Sequence, residues 1–152
     1  MDRFMKRAVD LAVENVKNGG QPFGAVLVKD DNIIAEGVNE LHQKNDVSGH
    51  AELLAIRKAQ AKLQTSDLSE YTMYASGEPC PMCLSAIYFA GIKKVYFCET
   101  IDDAEKVGLG MSKNIYKELA KKRTDRMIQM MHMPPDGQSV SVLHWWKEYK
   151  GQ

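Results

Sequence analysis

Apolar residues recur three and four apart at the start of the chain. Phe4, Ala8, Leu11, Ala12 and Val16 fall at helical spacing, and Gly19-Gly20 ends the run. The period then changes. FGAVLVKDDNIIAEGVN is two β-rich runs around a polar turn at Asp30, Asp31 and Asn32, which predicts a hairpin. The polar stretch from Glu40 to Gly49 predicts a loop. HAELLAIRKAQAKL predicts a helix that packs through Leu53, Leu54, Ile56 and Leu63. YTMYAS predicts a short strand, and PMCLSAIYFAG a helix that opens on proline and closes on glycine. KKVYFCE predicts a strand, SKNIYKELAKK a helix, RMIQMMHM a strand and SVSVLHWWKEYK a final helix. Strands alternating with helices imply an α/β domain with helices on both faces of one sheet. At 152 residues, with no linker, repeat or low-complexity segment, residues 1–152 read as a single domain.

Composition narrows this picture only a little. Hydrophobic residues make up 44% and charged residues 26%, so the chain is an ordinary globular sequence and not a disordered one. No apolar run approaches the roughly 20 residues of a membrane span. The first 20 residues scatter acids among the apolar positions, unlike a signal peptide. Three cysteines, an odd number, do not suggest a secreted disulfide framework, and a reducing cytoplasm is the expected location. Lys plus Arg equals Asp plus Glu at 20 each, so net charge gives no push toward nucleic acid. The basic run KELAKKRTDR reads as a solvated helix face.

Candidate chemistry gathers around two of those cysteines. Pro81 fits the first turn of its helix, which puts Cys80 at the N-terminus and Cys83 one turn on. Residues three apart share a helix face, so both sulfurs can address one point, and the helix dipole favours thiolates there. In a reducing compartment such a pair points to metal binding or catalysis. His50, in SGHAELLAIRKA, is the strongest candidate for a further ligand. Zinc accepts Cys and His together, and three protein ligands with an open fourth position mark a catalytic site. Glu52 lies two residues beyond His50, about 200° around an ideal helix. Both reach one site only if His50 sits at an irregular helix start, which Gly49 permits. His-x-Glu followed by Pro-Cys-x-x-Cys is the signature of zinc deaminases. The competing readings are a redox pair, which needs no upstream His-x-Glu, and a closed structural zinc site with Cys98 as fourth ligand. Cys98 lies in a strand pattern and reads as an inert core cysteine. His42, His132 and His144 show no partner spacing and read as loop or core histidines. Met127, Met130, Met131 and Met133 read as strand core or edge, and Trp145, Trp146 and Tyr149 as packing of the terminal helix.

The order QPFGAVLVKD, EGVN, HAE and EPCPMC resembles the cytidine-deaminase-fold superfamily over nearly the whole chain. Within it, PFGAVLV, HAELLAIRKA, EPCPMCLSAIYFAGIKKVYF and IYKEL are most similar to the small guanine deaminases. The resemblance implies a three-layer α/β/α cytidine deaminase-like fold with a five-stranded mixed sheet, and a homodimer. It implies that His50, Cys80 and Cys83 bind zinc and that Glu52 shuttles protons. It implies that Asn39 hydrogen-bonds the base while Phe23 and Ala51 line its pocket. The reaction implied is hydrolytic deamination of a free nucleobase, guanine to xanthine plus ammonia. Two features depart from that subgroup. The loop VGLGMSKN carries no acid between Glu105 and Glu118, and the chain ends EYKGQ instead of on tyrosine. These leave the zinc chemistry untouched and bear on the identity of the base. A transfer-RNA adenosine deaminase, another small amino-purine or amino-pyrimidine deaminase and a non-enzymatic zinc module are the alternatives. The C-terminal helix is expected to cover a small base, which would obstruct a polynucleotide.

Overall fold

The computed structural model describes residues 1–137 and 141–150. Helix α1 (Arg3–Lys17) starts on Asp2, whose carboxylate accepts the Phe4 and Met5 N–H groups. The chain leaves it through Gly19, at φ +87°, where a left-handed turn suits a residue without Cβ. Strands β1 (Gly24–Lys29) and β2 (Asn32–Val38) pair antiparallel. Asp30 and Asp31 take φ of 50° and 61°, the left-handed pair of a two-residue turn whose twist matches its strands. The expected loop contains a single helical turn, α2 (Leu41–Lys44), ahead of α3 (Ala51–Leu63). Then come β3 (Thr72–Gly77), α4 (Pro81–Ala90), β4 (Lys94–Glu99), α5 (Ile101–Lys106), α6 (Met111–Leu119) and α7 (Val142–Lys150). Of the run predicted as the final helix, Ser139 and Val140 lie outside the described residues.

The sheet order is β2-β1-β3-β4, with β3 and β4 parallel and the other pairs antiparallel. It is therefore mixed, as expected, but four-stranded among the described residues where five strands were expected. RMIQMMHM forms no strand. Ile128 is its one β-branched residue, Pro134 and Pro135 follow, and its methionines are exposed, so neither propensity nor burial favours an extended pairing.

Two apolar layers cover the sheet. On one face, Phe4 and Leu11 of α1 meet Val26, Val28 and Tyr74. On the other, Ala51, Ala55, Ile56 and Ala59 of α3 and Ile87 of α4 meet Ala25, Leu27, Ala35 and Met73. Complete burial of Leu27 or Met73 contributes roughly 1.5–3 kcal/mol each. Small residues let the helices close in. A Cβ on Gly24 would overlap the Ala8 carbonyl of α1, and one on Gly37 would overlap the Ala51 carbonyl at the start of α3.

By contact density, Met1–Glu118 forms one compact unit and the described residues from Leu119 onward another. In the second unit Met127, Met130, Met131, Met133, Trp145 and Trp146 are exposed, not the packed side chains the sequence suggests. No helix among the described residues is long and apolar enough to cross a membrane.

Candidate metal centre and active-site cavity

Two helix N-termini converge on one point. His50 is the N-cap of α3, with extended backbone at φ −88° and ψ 152°. It is held there by its N–H donating to the Ser48 carbonyl at 2.8 Å and by the Glu40 N–H donating to Gly49 at 2.8 Å. This is the irregular helix start that lets His50 and Glu52 share a site. Cys80 is the N-cap of α4, also extended, with Pro81 at the first helical position and Cys83 in the first turn. Neither N-cap side chain makes a capping hydrogen bond.

Those side chains meet each other instead. The ligating atoms of His50, Cys80 and Cys83 all lie within 4.8 Å of one another. Cys80 Sγ is 3.4 Å from His50 Nδ1, and Cys83 Sγ is 3.6 Å from it. A tetrahedral zinc with Zn–S about 2.3 Å and Zn–N about 2.0 Å sets the N···S separation at about 3.5 Å. The donor set therefore fits zinc in both chemistry and spacing. Cys98 is not part of the cluster, and it is exposed on β4 instead of sitting in the core as expected. The cluster thus offers three protein ligands among the described residues, the count of an open site.

Burial and mutual contact set the local protonation. The hydrogen bond with Cys83, then the one with His50, pulls the Cys80 thiol down to about 4 against the opposing effect of burial. The same thiol pairing, together with burial, holds Cys83 well above the usual thiol range. Contact with Cys80 raises His50. Glu52, 6% exposed in the first turn of α3, has its carboxyl raised chiefly by burial. A buried carboxyl of raised pKa beside such a donor set is chemically able to accept and return a proton.

His50, Glu52 and Cys80 open on a cavity of about 620 Å³. Phe23 lines it as expected, beside Gln21 and Val47. Its far wall comes from α5, α6 and their connection, through Ile101, Ala104, Leu109, Met111 and Ile115. Asn39 and Ala51 are fully buried and do not line the cavity surface. The Asn39 side chain accepts the Leu41 N–H at 3.0 Å and donates to Gln21 Oε1 at 3.3 Å, so it touches a residue that does. His42 lies 3.4 Å from Gln21 Nε2, and His144 lies 3.9 Å from Glu148; neither joins the metal cluster.

The far wall is what sequence reasoning missed. Helix α5 has six residues, too short to show a period. A signal did exist: Thr100 and Asp103 form a capping box, and the spacing Thr-x-x-Asp is visible in the sequence. Tyr116 was also missed. It donates from α6 to the Pro79 carbonyl at 2.6 Å, and burial pushes its hydroxyl up to about 12, so it stays a neutral donor.

Comparison with known proteins places this site in context. Residues 1–99 match the sequence model of the cytidine and deoxycytidylate deaminase zinc-binding region. A guanine deaminase of Bacillus subtilis is 49% identical over 149 residues, covering 97% of this chain and 94% of that one. The X-ray structure of guanine deaminase from Bacillus subtilis superposes with a TM-score of 0.88 at 41% identity, covering 100% of this chain and 96% of that one. A transfer-RNA-specific adenosine deaminase of Buchnera aphidicola is 36% identical over 103 residues, covering 68% of each chain.

Proposed function

The chain belongs to the family of the cytidine and deoxycytidylate deaminase zinc-binding region, and we propose that within it the protein is a zinc-dependent aminohydrolase that converts guanine to xanthine and ammonia. The observation that carries this is the cluster of His50, Cys80 and Cys83, of which His50 and Cys80, together with Glu52, line one largely apolar cavity. Similarity to a guanine deaminase at 49% identity over 97% of the chain supports the substrate, since the transfer-RNA adenosine deaminase of Buchnera aphidicola is 36% identical over 68% of it.

His50 Nδ1 and the two cysteine sulfurs would hold the zinc. When bound at such a site, zinc lowers the pKa of water to about 7 and so supplies a nucleophile at neutral pH. Glu52 takes the proton that the attacking water loses. It would deliver that proton to the ring nitrogen, then take the remaining proton of the added hydroxyl and pass it to the amino group, so that the C=O bond forms as the C–N bond breaks and ammonia leaves. Phe23 and the apolar far wall hold the flat ring and exclude bulk water. Asn39 exchanges its hydrogen bond to Gln21, the longer of its two side-chain bonds, for one to the base.

In this proposal one cytoplasmic deaminase domain works as a homodimer. Exposed Tyr88, Phe89, Tyr96 and Phe97 in the first unit, and the exposed methionines and tryptophans of the second, are apolar surface that a second copy would cover. Light scattering at micromolar concentration should give twice the chain mass, and a monomer would remove this part.

The substrate is tested by ammonia release from zinc-loaded protein against guanine, adenine, cytosine, their nucleosides and a transfer-RNA anticodon stem-loop. Guanine should turn over, with little dependence on salt. Inert guanine beside a deaminated stem-loop, with activity falling steeply in salt, would give the transfer-RNA reading instead. Inert guanine beside another reactive small base would keep the chemistry and change the substrate.

A further inference from the structure

The segment Glu78–Pro79–Cys80 joins β3 to α4 and carries a zinc ligand, yet it belongs to neither element. Pro79 and Pro81 have no N–H, so it has few ways to bind itself in place. Besides the Leu84 N–H that donates to the Cys80 carbonyl at the start of α4, three hydrogen bonds hold it. The Glu78 N–H donates to the Glu99 carbonyl at 2.7 Å. The Ile101 N–H donates to Glu78 Oε1 at 3.2 Å. The Tyr116 hydroxyl donates to the Pro79 carbonyl at 2.6 Å. All three partners lie between residues 99 and 116, a stretch that contributes neither a metal-site ligand nor Glu52.

The Tyr116 contact is the shortest of the three and acts on the peptide plane that leads directly into Cys80. Pro79 is buried, so its carbonyl needs a donor, and this hydroxyl supplies one. Rotation of that plane would carry the Cys80 side chain away from His50 Nδ1, now 3.4 Å from its sulfur. We propose that Tyr116 is a positioning residue of the metal centre, fixing the Pro79–Cys80 peptide so that Cys80 faces His50 and Cys83. This rests on the zinc reading above. On the same helix Met111, Ser112 and Ile115 line the cavity, so α6 shapes the substrate wall and steadies one ligand at once.

The test compares zinc-loaded wild type, Tyr116→Phe, Tyr74→Phe and Ile115→Ala. Tyr74 sits in the sheet, stacked on Tyr96 with ring centroids 5.0 Å apart, and serves as a control for loss of a tyrosine hydroxyl. Tyr116→Phe should release zinc to a chromophoric chelator about 10- to 100-fold faster than wild type. Its cobalt-substituted form should show shifted thiolate-to-metal absorption. It should lower kcat, whereas Ile115→Ala should raise KM and leave zinc release unchanged. Wild-type release and an unshifted cobalt spectrum in Tyr116→Phe would overturn the proposal. Equal acceleration in Tyr74→Phe would overturn it too, by showing general loosening. A wild-type chain that binds no zinc would overturn the metal reading and this inference with it.

Discussion

Helices α1 and α5 begin differently from α3 and α4. Asp2 caps α1 through bonds of 2.8 and 3.1 Å to the Phe4 and Met5 N–H groups. Thr100 and Asp103 cap α5 reciprocally. At α3 and α4 the cap positions are occupied by His50 and Cys80, whose side chains face each other and form no capping hydrogen bond. An effective cap contributes about 1 kcal/mol. Of these four helices, two therefore go without one, and both meet at the metal site. Other contacts hold them: Gly37 admits Ala51 against β2, Pro81 presets the first turn of α4, and Tyr116 ties down the approach to it. The uncapped N-termini also leave helix-dipole charge free to favour thiolates and Glu52. Local stability has been exchanged for chemistry at these two positions and nowhere else among the four.

Putting a good cap back at Cys80 breaks the contrast most severely. Cys80→Ser should reduce zinc from one equivalent per chain to a small fraction, as His50→Ala should, because each removes one of three protein donors. Stripped of metal, however, Cys80→Ser should be at least as stable as stripped wild type, since serine is a preferred N-cap and cysteine forms no capping hydrogen bond here. Elemental analysis and urea melts in chelator read the two effects separately. Full zinc in both variants would remove the ligand assignment, and a less stable apo-Cys80→Ser would remove the trade between cap and ligand.

Glu52 sharpens the same contrast inside one helix. It sits in the first turn of α3, where an acid suits the dipole, but it is buried, which costs more than the dipole returns. Glu52→Gln should retain zinc and lose kcat by about 10²–10⁴, the range for a positioned general acid–base group. Near-normal turnover would exclude it as the proton carrier.

The sequence made the two uncapped helix starts legible because they are local. His-x-Glu and Pro-Cys-x-x-Cys each fit within five residues, and the extended turn at His50 followed from the need for residues two apart to share a site. The hairpin and helices α1, α3, α4 and α6 were legible through period and punctuation. What stayed hidden is non-local or short. Tyr116 reaches Pro79 across 37 positions in sequence, which no spacing rule connects. Helix α5 is shorter than two turns. The stretch RMIQMMHM is apolar without being buried, since its methionines are exposed, and apolar character alone does not mark a strand.

A conventional cap should behave in the opposite way to His50 and Cys80. Asp2→Ala should lower stability by about 1 kcal/mol, in the range for a lost N-cap, and leave zinc content and kcat unchanged. The urea midpoint reads the first and elemental analysis the second. Zinc loss in Asp2→Ala would mean that α1 supports the site through the sheet, and the division between capping and chemical helix starts would no longer hold.

The smallest expected effect decides what kind of metal site these helix starts create. Cys98 is the third cysteine and the one thiol outside the cluster, exposed on β4. If it reached the metal it would complete four protein ligands, and a closed tetrahedral site leaves zinc no position for a reacting water. Placed as it is, Cys98→Ser should keep one zinc per chain, the same kcat and the same zinc release rate. Loss of metal in this variant would close the fourth position, turn the centre into a structural one and leave Glu52 with no activated water from which to take a proton. Unchanged zinc with unchanged turnover leaves that position open to water, which is the requirement that His50 and Cys80, as ligands in place of caps, serve.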